Sequence, residues 1–326
     1  MKEANMKTVT LAAAQMISQD GCILDNLARA SHMAALAKTQ GAACVLFPEF
    51  MPQGYRLTPE LWDAAECFDG PTVHWLGETA RNLGVYVGTS FLEAKNGHFF
   101  NTFVLAEPSG KIAGAVRKRS PSMWEAYFFK GERGNPYVDT DLGRIGVGIC
   151  FDNHTYEVAS AIQQSGIDLM LMPHSYCTPT QTTKMTSQAD IDQLNGRPGL
   201  VARLYNQWFG VPVLMCNKSG PWNSPVPDTT LGVPQGFRFS GRSTLLDADG
   251  TLAAQLGDEE AVLVGSVTLD PALKKQTRPA KYSRYIYPGS PGREIIRLME
   301  WRGSLSYHFS SLRKQKASTV RMENFG

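Results

Sequence analysis

Short apolar runs recur along this chain, separated in turn by helix-forming stretches and by tight turns, and that mixture restricts the architecture most. Residues 9–14, 43–47 and 85–89 read as buried strands. Between them, Asp25 and Asn26 can cap a helix running to Thr39, and a second helix covers 72–82, stopped by Gly84. Runs 99–106 and 112–116 flank Pro108-Ser109-Gly110-Lys111, a hairpin signature. The second half repeats the alternation: strands at 144–149, 169–172, 211–216 and 261–267, and helices at 156–164 and 200–208, the latter with Pro198 near its start. Another hairpin turns at Asp249-Gly250 between 243–246 and 251–256. Helical crossovers imply parallel pairing and hairpins imply antiparallel pairing. The expectation is therefore an α/β fold with a mixed sheet, or two sheets, and helices outside.

Other features narrow the function. Hydrophobic residues make up 43% of the 326, enough for a sizeable core, and no run approaches a membrane span. Met1 to Lys7 is polar without a signal-peptide core, so a cytoplasmic location is expected. The six cysteines (22, 44, 67, 150, 177 and 216) are scattered without a CxxC pair, which argues against a disulfide framework and a zinc site. From Lys274 onward 12 Lys and Arg face 3 Asp and Glu, a net of +9, against −7 for the remainder. A basic tail can signal nucleic acid, but Tyr282, Tyr285, Tyr287, Trp301, Tyr307 and Phe309 within it suggest docking on an acidic body, its own or a partner's. The polar stretches 175–196 and 219–237 read as long functional loops.

Four positions carry chemistry. Cys150 ends the strand block Gly143-Arg-Ile-Gly-Val-Gly-Ile-Cys, just before a helix. A sharp strand-to-helix turn would expose its sulfur, and the helix N-terminus would lower the thiol pKa. The Phe151 N–H is the expected oxyanion donor. Glu49, between Pro48 and Phe50, is a candidate general base. Lys118, beside Arg117 and Arg119, can stabilise an oxyanion, and Glu125 sits among Trp124, Tyr127 and Phe128 as though in a pocket wall. Taken singly, each has an ordinary reading: a buried structural cysteine, a solvated glutamate, a basic turn, an exposed acid.

Taken together, in this order and with these flanks, they resemble the carbon–nitrogen hydrolase (nitrilase) superfamily. The matching blocks are Phe47-Pro48-Glu49 with Gly54-Tyr55, Val116-Arg117-Lys118, Glu125 with Phe129 and Gly131, and Gly143 to Asp152 followed by Glu157. Weaker matches continue at Arg203, Asn206, Asn217, Gly220, Gly241, Ser243 and Asp247, so the likeness spans about residues 8–270. Ser120-Pro121 and Thr155-Tyr156-Glu157 depart from the family pattern, and Glu132 is a second, wrongly spaced candidate for the Glu125 role.

The resemblance implies a four-layer α-β-β-α sandwich at 8–270, with 271–326 as an extension docking on a partner subunit of a homodimer or higher oligomer. It implies Glu49, Lys118 and Cys150 as the catalytic set, with Glu125 positioning Lys118 or the substrate. The reaction would be hydrolysis of a non-peptide carbon–nitrogen bond through a cysteine thioester, with no metal or organic cofactor. Phe151-Asp152 is closer to the amidase and carbamoylase pattern than to nitrilases, so amides and N-carbamoyl compounds are favoured over nitriles. Tyr55, Trp124 and His174 are candidate substrate contacts. Two other designs remain open. One is a papain-like pair of Cys150 with His154 or His174; the other is a non-catalytic scaffold that uses the basic tail.

Overall fold

The computed structural model describes residues 6–184, 186–227, 236–289 and 292–322. One sheet contains β1 (Lys7–Gln15), β2 (Cys44–Leu46), β3 (Tyr86–Lys95), β4 (His98–Ala106), β5 (Ile112–Arg117) and β15 (Ala261–Leu269), in the order β15-β1-β2-β3-β4-β5. A second contains β6 (Tyr137–Thr140), β7 (Gly143–Val147), β8 (Leu169–Pro173), β10 (Val213–Cys216), β13 (Thr244–Leu246) and β14 (Leu252–Gln255), in the order β14-β13-β10-β8-β7-β6. A small third sheet joins β9 (Cys177–Pro179), β11 (Pro221–Trp222) and β12 (Phe237–Phe239). The helices are α1 (Ile23–Thr39), α2 (Pro71–Leu83), α3 (Tyr156–Ser165), α4 (Gln188–Phe209), α5 (Arg293–Phe309) and α6 (Ser311–Met322). None of the described helices is long and apolar enough to cross a membrane.

Strand side chains alternate between faces, and here both faces are buried. Leu11 and Ala13 of β1 point into a core shared with Ile145, Leu171, Leu214 and Leu245 of the other sheet. Ala12 and Ala14 point outward against Ala30 and Ala34 of α1 and Leu76 of α2. On the far side, Met170, Met172 and Met215 pack against Val158 and Ile162 of α3 and Tyr205 of α4. This is the expected four-layer α-β-β-α sandwich. The two sheets share one pairing pattern. In each, three parallel strands (β1-β2-β3 and β7-β8-β10) are flanked by one antiparallel strand on one side and two on the other.

Several elements differ from the expectations. The α1 helix begins at Ile23, and Asn26 does not cap it. The Asn26 amide instead donates to the Gln19 and Pro52 carbonyls, because it is buried under the loop after β2. The β3 strand runs on to Lys95 and pairs with β4 through Asn96-Gly97, both at positive φ (51° and 75°), the geometry of a tight hairpin. The stretch 175–196 is not one loop. It holds β9 and the first turns of α4, which starts at Gln188 behind a Ser187/Asp190 capping box. Pro198 therefore sits inside the helix, not at its start. The stretch 219–237 holds β11 and the first residue of β12, and its positions 228–235 lie outside the described residues.

The basic tail lies on its own chain. Met299, Tyr307 and Ala317 are buried in a cluster with Trp62, Phe99 and Phe128. The Tyr307 hydroxyl accepts the Phe99 N–H at 2.9 Å, Arg313 donates to the Gly97 carbonyl at 2.6 Å, and Lys316 pairs with Asp63. A Cβ on Gly303 would lie 2.7 Å from the Tyr127 ring, so glycine there lets α5 press against the turn at Met123–Tyr127. Met299 is fully buried. Met299→Ala should therefore cost roughly 2–5 kcal/mol in urea unfolding. A cost below about 0.5 kcal/mol would mean that α5 is not docked as described.

Candidate active site

Glu49, Lys118, Cys150 and Ser175 each follow a strand, and the carboxyl ends of those strands converge where the two sheets meet. Open α/β sheets place ligand sites at such strand ends. Glu49 follows β2, in a chain held on both sides. Its N–H donates to the His174 carbonyl at 3.3 Å, and the Ser175 hydroxyl donates to its carbonyl at 2.8 Å. The next residue, Phe50, takes a left-handed φ of 47°; its N–H donates to the Ser90 hydroxyl and its carbonyl accepts Lys218 Nζ at 3.0 Å. The turn thus aims the Glu49 side chain inward. Its Oε1 accepts from Asn101 and from Lys118 Nζ, both at 2.7 Å, and its Oε2 accepts the Ser175 N–H at 3.0 Å.

Lys118 has no exposed surface. Its Nζ also donates to Glu125 at 2.8 Å. The other Glu125 oxygen lies 2.7 Å from the same Nζ, so the ammonium is held by both carboxylates. Burial acts to lower the Lys118 pKa, but Glu125 and Glu49 outweigh it and hold the amine protonated. Glu125 lies on the 3-10 turn Met123–Tyr127, inside a capping box with Ser122, and accepts the Tyr55 hydroxyl at 2.5 Å. Burial pushes its carboxyl up to about 6 against the pull of Lys118. Asp152, raised to about 6 by burial, accepts the backbone N–H groups of Arg119 and Ser120 at 2.9 and 2.8 Å, which ties the Lys118 loop to the Cys150 loop.

Cys150 opens a 3-10 turn, Cys150–His154, with a φ of 48°. A non-glycine residue there carries strain of about 1–3 kcal/mol. The first hydrogen bond of the turn runs from the Asp152 N–H to the Ile149 carbonyl, so the Phe151 N–H precedes the ladder and has no acceptor within it. The thiol pKa is not lowered as the sequence suggested. The α3 helix starts only at Tyr156 and is capped by Thr155, so its N-terminal N–H groups are spent away from the sulfur. Burial instead raises the Cys150 pKa well above the ordinary value, and Glu49 raises it further, while Lys118 and the Ser175 N–H pull it back. At rest the sulfur is a thiol, and forming the thiolate needs a base close by.

A cavity of about 190 Å³ opens above the sulfur, lined by Cys150, Phe151 and Glu125 among others. Tyr55 and Trp124 also line it, and Trp124 stacks on Trp222 with ring centroids 5.1 Å apart. Glu49 and Lys118 are sealed behind that wall, with no exposed surface. His174 does not line the cavity. Its Nε2 meets the Asn153 amide at 3.1 Å, and Asn153 donates in turn to the Gly148 carbonyl at 2.6 Å. A Cβ on Gly148 would lie 1.9 Å from the Asn153 Oδ1, so the packing of this chain requires glycine at 148. His154 does line the cavity, with Nδ1 2.8 Å from the Tyr287 hydroxyl. Burial lowers the His174 pKa to about 3 and the His154 pKa well below its ordinary value. A thiolate–imidazolium pair is therefore disfavoured in both partners. Glu132 lies outside the site, paired with Arg117 at 2.9 Å.

Sequence reasoning missed Asn101, Ser175, Asp152 and the cavity residues Tyr176, Tyr285, Tyr287 and Ile295. Asn101 had a signal, a polar amide inside the apolar run 99–106. Tyr285 and Tyr287 were read only as docking aromatics, because nothing local shows that Tyr285 packs against Phe151 and Tyr287 against His154.

The family profile described as Carbon-nitrogen hydrolase matches residues 10–278 of this chain. An N-carbamoylputrescine amidase of Solanum lycopersicum is 29% identical over 290 residues, covering 85% of this chain and 91% of that protein. The crystal structure of a carbon–nitrogen hydrolase from Helicobacter pylori superposes with a TM-score of 0.68 at 20% identity, covering 80% and 89% of the two chains. A mutant amidase from Nesterenkonia, with an acetamide moiety added covalently at its active-site cysteine, superposes with a TM-score of 0.64 at 21% identity, covering 79% and 90%.

The His174 ring gives a pH test. Its folded pKa of about 3 lies below the ordinary 6.5, so its contribution is complete above that value and is lost as pH falls from 6.5 toward 3. The loss is about 1.4 kcal/mol per pH unit. In urea unfolding across this range, the stability gap between the wild type and His174→Gln should narrow as pH falls. A constant gap would contradict the buried neutral ring.

Proposed function

The chain belongs to the carbon–nitrogen hydrolase family, and from that premise we propose that it hydrolyses a non-peptide amide or N-carbamoyl bond through a thioester on Cys150. The observation that carries the reading is a strained, neutral thiol at the floor of a small cavity, backed by the buried Glu49–Lys118–Glu125 cluster. Glu49 takes the thiol proton as sulfur attacks the carbonyl carbon. The Lys118 ammonium and the N–H of Phe151 hold the oxyanion, each such donor being worth roughly 3–4 kcal/mol. Glu49 then protonates the leaving nitrogen, the carbon–nitrogen bond breaks, and ammonia or an amine departs. Water, deprotonated by Glu49, attacks the thioester; the acid leaves and the thiol is restored. Glu125 positions Lys118. Tyr55 and Trp124 contact the substrate, while His174, lying behind the wall, acts through Asn153.

The Solanum relative is named for an N-carbamoyl substrate, and the acetamide moiety on the Nesterenkonia cysteine, which keeps its amide nitrogen, supports a nucleophilic sulfur. The first supports amide or N-carbamoyl hydrolysis over the nitrile alternative. In this reading residues 8–270 form the catalytic unit and 271–326 an extension that completes its cavity. Leu298, Trp301, Leu305 and Phe309 make an exposed apolar stripe on α5, which supports burial against a second copy in a homodimer.

The test is a screen of short amides, N-carbamoyl compounds and nitriles for ammonia release. Amides or N-carbamoyl compounds should be turned over, Cys150→Ala should lose roughly 10⁴-fold or more in kcat, and Glu49→Gln roughly 10²–10⁴-fold. Intact-mass measurement should trap an acyl adduct on the wild type alone. Turnover that survives Cys150→Ala, or turnover of nitriles alone, would sink the proposal.

A further inference from the structure

A second lysine is buried close to the site, and the chemistry above does not use it. Lys218 lies two residues beyond the end of β10 and is only 1% exposed. Lys118 is held by two carboxylates, but the Lys218 Nζ donates to two neutral oxygens, the Ser18 hydroxyl at 2.9 Å and the Phe50 carbonyl at 3.0 Å. Among the described residues no carboxylate pairs with it. Burial lowers its amine to about 7 against the pull of Asp20 and Glu49. Its backbone is fixed on both sides: the N–H donates to Asn217 Oδ1 at 3.0 Å, and the carbonyl accepts the Gly241 N–H at 3.0 Å. From that base the side chain crosses between the sheets. Lys218 follows a strand of the sheet that leads into Cys150, while Ser18 and Phe50 follow β1 and β2 of the other.

The bond to Phe50 is the informative one. At a φ of 47° Phe50 holds a conformation that a non-glycine residue keeps only where its surroundings impose it. Three hydrogen bonds do so. Its N–H donates to the Ser90 hydroxyl at 3.0 Å, and its carbonyl accepts the Gly54 N–H at 3.1 Å and Lys218 Nζ. Of these partners Lys218 alone comes from the opposite sheet. Glu49 is the preceding residue, so relaxation of the strained turn reaches its carboxylate directly. An amine buried without an anion is costly where an apolar side chain could fill the same space. This one is spent on the turn that aims the general base, where a misplacement of about 1 Å can lower a rate by roughly 100-fold. We propose that Lys218 is a positioning residue for the reaction: reaching across the junction of the sheets, it holds the Phe50 carbonyl and so keeps the Glu49 carboxylate aimed at the Cys150 thiol. This rests on the hydrolase reading above, and it assigns a role to a side chain that does not line the cavity.

Lys218→Met keeps the length of the side chain and removes its donors. On the best amide or N-carbamoyl substrate of the screen it should lower kcat by at least about tenfold, with KM within about threefold of the wild type. The second readout is the rate constant for alkylation of Cys150 by iodoacetamide, followed by peptide mass. Lys218→Met should slow it by at least about fivefold, and the same substitution made in Glu49→Gln should change it by less than about twofold, because the effect passes through the carboxylate. A general loosening of the site would act equally in both backgrounds. A kcat and an alkylation rate both within about threefold of the wild type, or an equal slowing with and without Glu49, overturns the proposal. Should Lys218→Met fail to fold, Ser18→Ala, which removes the other partner of the Nζ, takes its place in the same cycle: slowing that vanishes in Glu49→Gln supports the proposal, and no slowing overturns it. The alkylation cycle needs no substrate, so it decides the role of Lys218 even if no compound is turned over, the result that would reject the hydrolase reading.

Discussion

The ammonium of Lys118 sits at the junction of the two sheets with no solvent contact, and the arrangement around it follows from that fact. A lone buried charge would shed its proton or unfold its surroundings. Glu49 and Glu125 meet it at 2.7 and 2.8 Å, and each carboxylate is held by further donors: Asn101 and the Ser175 N–H for one, Tyr55 and the Ser122 N–H for the other. Such a cluster is worth little as net stabilisation, but removing one member leaves an uncompensated charge. It therefore fixes the relative positions of the chain after β2, the chain after β5 and the turn at Met123–Tyr127.

Desolvation also sets the chemical character of several titratable groups around the cluster. It raises the Cys150 thiol, lifts Glu125 and Asp152 to about 6, and lowers His174 to about 3. A thiol held neutral this way cannot rely on an imidazolium partner. The Glu49 carboxylate shares its enclosure and is anchored to the Lys118 ammonium. Burial thus selects among the catalytic designs that the residue types alone leave open.

The scaffold achieves this by duplication. Each sheet has the same run of three parallel strands; Glu49, Cys150 and Ser175 follow members of those runs, and Lys118 follows the edge strand β5, where the chain must turn away from the ladder. Two of those turns bear non-glycine residues at positive φ, Phe50 beside Glu49 and Cys150 itself, so backbone strain is concentrated where side chains are aimed. The tail adds a wall. By pressing α5 onto the turn that carries Trp124 and Glu125, it makes the site depend on residues more than 150 positions away in the chain.

Much of this was legible in the sequence. Periodic apolar runs and turn residues located the central strands and three of the four packing helices to within a few residues, because side-chain alternation and backbone preferences are local properties. The fourth, α4, was read at half its length, since polar residues on its exposed face and Pro198 mimic a loop when burial is unknown. The blocks around Glu49, Lys118, Glu125 and Cys150 carried the resemblance to the family whose profile the chain matches. Their bringing together, the sealing of Lys118, the raised thiol, the retreat of His174 behind Asn153 and the placing of Arg197 over Tyr287 belong to the tertiary structure alone. Desolvation and charge pairing depend on neighbours remote in sequence, and no local pattern encodes which of them will be close.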